Sequence, residues 1–216
     1  MSAVRPTRPS LLLRLRDADD HEAWRAFVQI YTPLIYGFCR KHGLQDADAA
    51  DVAQEVMRTV ARRIGEFEYQ PDKGTFRAWL FTVTRSKLNN FFQTLQRQPQ
   101  GTGRTTVHEL LEAQPSPQPD TDWDHEYHQR LFEWACGQVH DEFEASTWQA
   151  FWQTAVEGKA GASVAASLGL SVGAVYVAKS RVLARLRGVT KEIDEDAGGN
   201  QAESVAASPA ARAAEQ

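Results

Sequence analysis

From Asp48 to Phe67 the chain reads DAADVAQEVMRTVARRIGEF, with apolar residues three and four positions apart. On a helix advancing about 100° per residue, Ala49, Val52, Ala53, Val56, Met57, Val60 and Ile64 fill one continuous arc. Asp48, Asp51, Gln54, Glu55, Arg58 and Arg62 fill the other side. A strand needs a period of two, so this segment is a helix with one face to bury. The same spacing returns along most of the chain and strand-like alternation is scarce, which predicts an all-α protein. Helices are expected near 18–42, broken at Pro33, and at 46–65, 75–97, 123–142, 146–157, 161–168 and 172–188.

The stretch QPQGTGRTTVHELLEAQPSPQPDTD holds four prolines and several turn formers, with room for one helical turn at VHELLEA. It predicts two small helical domains, 1–97 and 123–190, joined by a flexible Pro/Gly-rich linker at 98–122. The tail, 191–216, is polar and Ala-rich without large apolar anchors, and is expected to be disordered. Aromatic residues at helical spacing are expected to be core: Trp123, Tyr127, Leu131 and Trp134 in one stripe, Trp148, Phe151, Trp152 and Val156 in another.

Net charge is −4, yet the cations are concentrated. Between Pro71 and Arg104 stand Lys73, Arg77, Arg85, Lys87, Arg97 and Arg104 against Asp72 alone. Between Thr147 and Gly188 stand Lys159, Lys179, Arg181, Arg185 and Arg187 against Glu157 alone. Basic islands separated by acidic sequence suit two contacts with a polyanion.

Other chemistries find no footing. Cys39 and Cys136 fit no CxxC pattern, which argues against a disulfide framework and favours a reducing, cytoplasmic setting. EGKAGAS has Gln153 where a phosphate loop needs glycine, and GTGRTT lacks the third glycine of a dinucleotide fingerprint. His125 and His128 form no HExxH, and no catalytic constellation stands out, so neither enzyme activity nor a metal or cofactor is expected. The early LLLRLR is interrupted by Arg14 and Arg16, which is no signal peptide. The uncharged run Ala160 to Ala178 is built of small residues and is not expected to span a membrane.

ASVAASLGLSVGAVYVAKSRVLARLR, from Ala162 to Arg187, has the offsets of a helix-turn-helix. Gly169 supplies the turn, Ala165 the close contact, and Val164, Leu168, Leu170, Val175 and Ala178 the wedge. Ser171 is placed to cap the second helix, whose first turns would meet base edges in a major groove. Gly173, Ala174, Tyr176, Val177, Ser180 and Arg181 would face outward, with Lys179, Arg185 and Arg187 near phosphates. In the first domain, KGTFRAWLFTVTRSKLNNFFQTLQRQ sets two inward aromatic stripes against an outward one of Arg85, Asn89, Gln93 and Arg97.

DAADVAQEV resembles the D-A-x-D-x-x-Q-E-[VA] signature of sigma factor region two, and GTFRAWLFTVTR resembles the segment that follows it. STWQAFWQTAVEGKAGASVAASLGLSVGAVYVAKSRVLARL resembles region four. With no domain between them, the layout is similar to the extracytoplasmic-function (ECF) group of bacterial RNA polymerase sigma factors. The resemblance implies that Asp48, Asp51, Gln54, Glu55 and Arg58 dock on core RNA polymerase, at the β′ coiled coil, with the β subunit as a further partner. It implies that Lys73, Arg77, Arg85, Asn89, Asn90, Gln93 and Arg97 recognise and melt the minus-ten element and hold the non-template strand. Ser171, Gly173, Ala174, Tyr176, Val177, Lys179, Ser180, Arg181 and Arg185 would meet the minus-thirty-five element. It leaves room for an anti-sigma factor. The sequence departs from many members in carrying Val175-Tyr176-Val177-Ala178 early in the second helix, where they carry V-K-S-R, and Ser86 and Asn90 where Asn and Asp are frequent. The competing reading is a free-standing helix-turn-helix regulator on an operator.

Overall fold

The computed structural model describes residues 11–66, 75–97 and 121–193. Lys73, the VHELLEA turn and almost all of the expected linker and tail lie outside them, as does the side chain of Arg97. The described residues hold eight α-helices and no strand. They divide into two compact units, one of Leu11–Arg130 and one whose described part starts at Leu131.

The first unit is built on α1 (Leu11–Arg14), α2 (His21–Lys41), α3 (Asp46–Arg63) and α4 (Phe76–Arg97). Asp20 starts α2: its Oδ1 accepts from the Ala23 N–H at 2.9 Å, and its carboxylate takes two bonds from Arg14, at 2.8 and 2.9 Å. The expected break at Pro33 does not occur; α2 runs unbroken to Lys41. An internal proline costs a helix about 3 kcal/mol. Here Ile30, Tyr31, Leu34, Ile35 and Phe38 are all buried and keep one helical phase across it, which outweighs that cost. The apolar arc of α3 is buried as its periodicity requires, with Met57 half-buried at its margin. Thr59 joins it by donating its hydroxyl to the Glu55 carbonyl at 2.8 Å. A 3₁₀ turn, Ile64–Glu66, closes α3.

α5 (Thr121–Val139) departs from expectation. Trp123, Tyr127 and Leu131 are buried and Trp134 is half-buried, but the first two belong to the first unit. Trp123 packs edge-on against Phe38 and Phe81, at centroid distances of 5.2 and 5.4 Å. Tyr127 stacks on Tyr31 at 5.6 Å. Phe76 completes this aromatic core against Phe27 and Tyr31, at 6.0 and 5.7 Å.

The second unit contains the rest of α5, α6 (Ala145–Phe151), a π-helical turn (Trp152–Val156), α7 (Gly161–Leu168) and α8 (Val172–Ile193). Its larger core joins Ala135, Cys136, Val139, Phe151, Val182 and Leu186, with Trp134 and Trp148 packed against it. Trp152, expected in the core, is 36% exposed. Its N–H still bonds the Trp148 carbonyl, so Trp152 keeps α-helical phase and stacks on Trp148 at 6.2 Å at the margin of the stripe; the π turn, in which the Glu157 N–H reaches back five residues to the Trp152 carbonyl, displaces the residues that follow.

Candidate functional site

The polar face of α3 is presented as its sequence requires. Asp51, Gln54 and Arg58 are exposed, and Asp48 and Glu55 are half-exposed. Asp46 and Asp48 in the first turn favour the positive end of the helix dipole. The face is also internally tied. Arg58 donates to both Glu55 and Gln54, and Lys87 of α4 lies 3.6 Å from Glu55. The bond from Arg58, followed by the nearby positive charges, holds the Glu55 carboxyl below its ordinary pKa. Glu55 is therefore a carboxylate at neutral pH, and it connects α3 to α4.

The site residues expected on α4, those of the outward stripe together with Arg77 and Asn90, split into three environments. Arg77 lies with its guanidinium carbon 4.7 Å from the Tyr127 ring centroid, in cation–π geometry, and reaches His128 Nε2 at 3.4 Å. Arg85 and Asn89 are half-buried, and neither Arg85 Nε nor Asn89 Oδ1 has a hydrogen-bond partner among the described residues. Gln93 and Asn90 are exposed. Between α3 and α4 lies an open cavity of about 510 Å³. Arg62, Arg63 and Lys87 bring cations to it, Trp79 an aromatic ring, and Ser86 and Asn90 polar groups. Trp79 belongs by spacing to the first inward stripe expected of α4, with Phe76, Leu80 and Val83, and the structure leaves it half-buried at the cavity. The adjacent Arg62-Arg63 pair at the α3 C-terminus, one step off the apolar arc, was the available signal for this cavity.

The helix-turn-helix forms as expected. α7 and α8 cross at 103°. Gly169 ends α7 in the left-handed region, at φ 66° and ψ 29°, and both its N–H and that of Leu170 bond the Ala165 carbonyl. Ser171 caps α8, its Oγ accepting from the Ala174 N–H at 3.1 Å. Val164, Ala165, Val175 and Ala178 form the wedge with Ala150, flanked by Leu168 and Leu170. Ser171, Gly173, Ala174, Tyr176, Val177, Ser180 and Arg181 are exposed, and Lys179 is half-buried. Arg185 is bound by Glu142, with bonds of 2.6 and 2.7 Å that hold the Glu142 carboxyl below its ordinary pKa. This bent pair contains the uncharged run, and no single described helix is long and apolar enough to cross a membrane.

Burial pushes both the Cys39 and Cys136 thiols up to about 12, so at neutral pH neither is a thiolate nucleophile.

Residues 27–98 match the family Sigma-70 region 2. Over 78 residues the chain is 31% identical to the ECF RNA polymerase sigma factor RpoE of Cereibacter sphaeroides. That alignment covers 36% of this chain and 42% of the relative, so the chain spans less than half the length of this curated relative.

Proposed function

We propose that this chain is an ECF RNA polymerase sigma factor, a non-enzymatic initiation factor that confers promoter recognition on core polymerase, a reading supported by the match of residues 27–98 to Sigma-70 region 2. The region 2 match carries the reading, because this region includes the acidic face of α3 and all of α4 up to Arg97. A free-standing operator-binding regulator needs the helix-turn-helix alone and leaves that segment without a role.

In this scheme the exposed face around Asp51, Gln54 and Arg58, with Asp48 and Glu55, docks on the basic β′ coiled coil. Opposite charge steers the encounter and sets its register. The α4 residues Arg85, Asn89, Asn90 and Gln93, together with Lys73, Arg77 and Arg97, engage the minus-ten element and hold bases of the opened non-template strand. The Nε of Arg85 and Oδ1 of Asn89 are buried without a partner among the described residues, one donor and one acceptor that would meet a base edge once these side chains swing outward. Arg77 reaches DNA by exchanging its contact with Tyr127 for a phosphate. α8 enters the major groove at the minus-thirty-five element, with Arg181 and Lys179 beside the phosphates. Acting on two promoter elements at once raises the effective concentration of each contact. The setting is the bacterial cytoplasm, and an anti-sigma factor would compete for these same faces.

The test is to mix the purified chain with core polymerase and genomic DNA of the source and sequence the transcript ends. Initiation at defined sites sharing two upstream elements is expected. Asp51→Lys should abolish co-purification with core polymerase at unchanged helical content. If the wild-type chain neither co-purifies with core polymerase nor directs initiation, the assignment fails.

A further inference from the structure

The DNA-facing start of α8 carries apolar side chains where hydrogen-bonding ones would be usual. Val172, Tyr176 and Val177 are 43%, 54% and 59% exposed. Between them stand only Gly173, Ala174 and the buried Val175, so no amide or guanidinium reaches outward before Arg181. Such a surface cannot read guanine or adenine through paired donors and acceptors. The base-edge feature it fits is the thymine 5-methyl group, which projects into the major groove and is recognised by apolar contact. Lys179, Arg181 and Arg187 on the same helix make a DNA duplex the charge-matched occupant.

Tyr176 is held in place from outside its own helix. A Cβ built on Gly161, the first residue of α7, would lie 3.0 Å from both Cζ and Oη of Tyr176 and 3.2 Å from Cε2. The phenol ring therefore rests across the bare backbone of Gly161, which is buried. Gly161 has no positive φ to explain its identity, whereas Gly158 and Gly169 do. A side chain here would push the Tyr176 ring aside by a few tenths of an ångström, so the glycine sets where that ring rests.

We propose that Gly161 and Tyr176 form a specificity-determining pair, in which the bare α7 start positions the Tyr176 ring to read a thymine methyl in the upstream promoter element. The proposal rests on the sigma-factor reading above and adds to it the base that is read, the group that reads it and the residue that positions the reader. Tyr176 touches the base, and Gly161 acts only through Tyr176.

The experiment uses the full chain bound to core polymerase and a promoter it transcribes, with each upstream-element thymine replaced singly by uracil, which deletes only the methyl. Loss of one methyl contact should weaken binding about three- to fivefold at one position. Tyr176→Phe should keep that discrimination, Tyr176→Ala should erase it, and Gly161→Ala should reduce it. In the Tyr176→Ala background, Gly161→Ala should add nothing, which a merely structural role for Gly161 would not produce. Thermal melting of each variant separates misfolding from misreading, and the uracil scan of the wild-type chain needs no variant at all. Initiation that is indifferent to uracil at every upstream thymine overturns this proposal and leaves the sigma-factor reading standing, as it would if the apolar patch met a protein instead. An equal cost of Gly161→Ala in both backgrounds overturns the positioning role. Failure to initiate anywhere removes both readings together.

Discussion

Asp20 concentrates two jobs in one carboxylate. It caps α2 through Ala23 and accepts both bonds from Arg14, which also reaches Glu22 at 2.8 Å. The Arg14 bond first, and the Ala23 N–H second, hold its pKa down at about 2, against an ordinary value of 3.8. A depressed carboxyl stabilises the fold above the unfolded-state pKa and loses that contribution as pH falls through the folded one. Asp20→Asn keeps an oxygen for the cap but cannot titrate. Denaturant midpoints should therefore fall between about pH 4 and 2 in the wild type. The variant, less stable at pH 7, should show a smaller fall across that window; equal slopes in both proteins would remove Asp20 as the source. No periodicity argument pointed to this residue, because its partner is six positions away on another helix. Only the fold brings the Arg14 guanidinium and the Ala23 N–H to one carboxylate.

At the scale of elements, the helix-turn-helix was the most legible part of the chain because its constraints are local. Gly169 must adopt positive φ, Ser171 must cap, and small residues must let two helices meet at 103°; each requirement maps onto one position. The Gly169 requirement is purely one of backbone, since a Cβ there meets nothing within 4 Å. Gly169→Ala should cost roughly 1–2 kcal/mol from left-handed strain alone. Gly169→Asn should cost less, because its short polar side chain tolerates that conformation. Equilibrium urea unfolding of the two variants checks the order, and an Ala variant as stable as wild type would contradict it. Elements whose form depends on distant packing were less legible. Pro33 read as a break because the five buried neighbours that keep α2 straight are invisible to a local rule. Trp152 read as core because spacing places it in phase with Trp148 but does not show that the packing neighbours end at that margin. The polar and basic residues of α4 are legible from type and spacing, but their division into a cation–π contact, a half-buried pair and an exposed end depends on the neighbouring helices.

At the scale of the whole molecule, periodicity told which face of α5 is apolar and not what covers it. Trp123 and Tyr127 lie in phase with Leu131 and Trp134, so the stripe read as one core. The fold divides it at Arg130, and the first half completes the unit that begins at Leu11. Trp123 and Tyr127 are each 1% exposed, and the Glu126 carboxylate lies 3.5 Å from Lys41 of α2. A first domain ending at residue 97 would leave Phe38 and Phe81 without their Trp123 contact. Trp123→Ala in the full chain should therefore destabilise the Leu11–Arg130 unit by about 3–5 kcal/mol, the usual cost of emptying a large aromatic site. Amide hydrogen exchange locates the damage: protection should fall in α2 and α4 while α7 and α8 keep theirs. A fragment ending at residue 130 should likewise melt above one ending at 97. Loss of protection confined to residues beyond 131 would return Trp123 to the helix-turn-helix domain. It would also detach Tyr127 from Arg77, and with it the exchange of partners by which Arg77 is expected to reach the promoter.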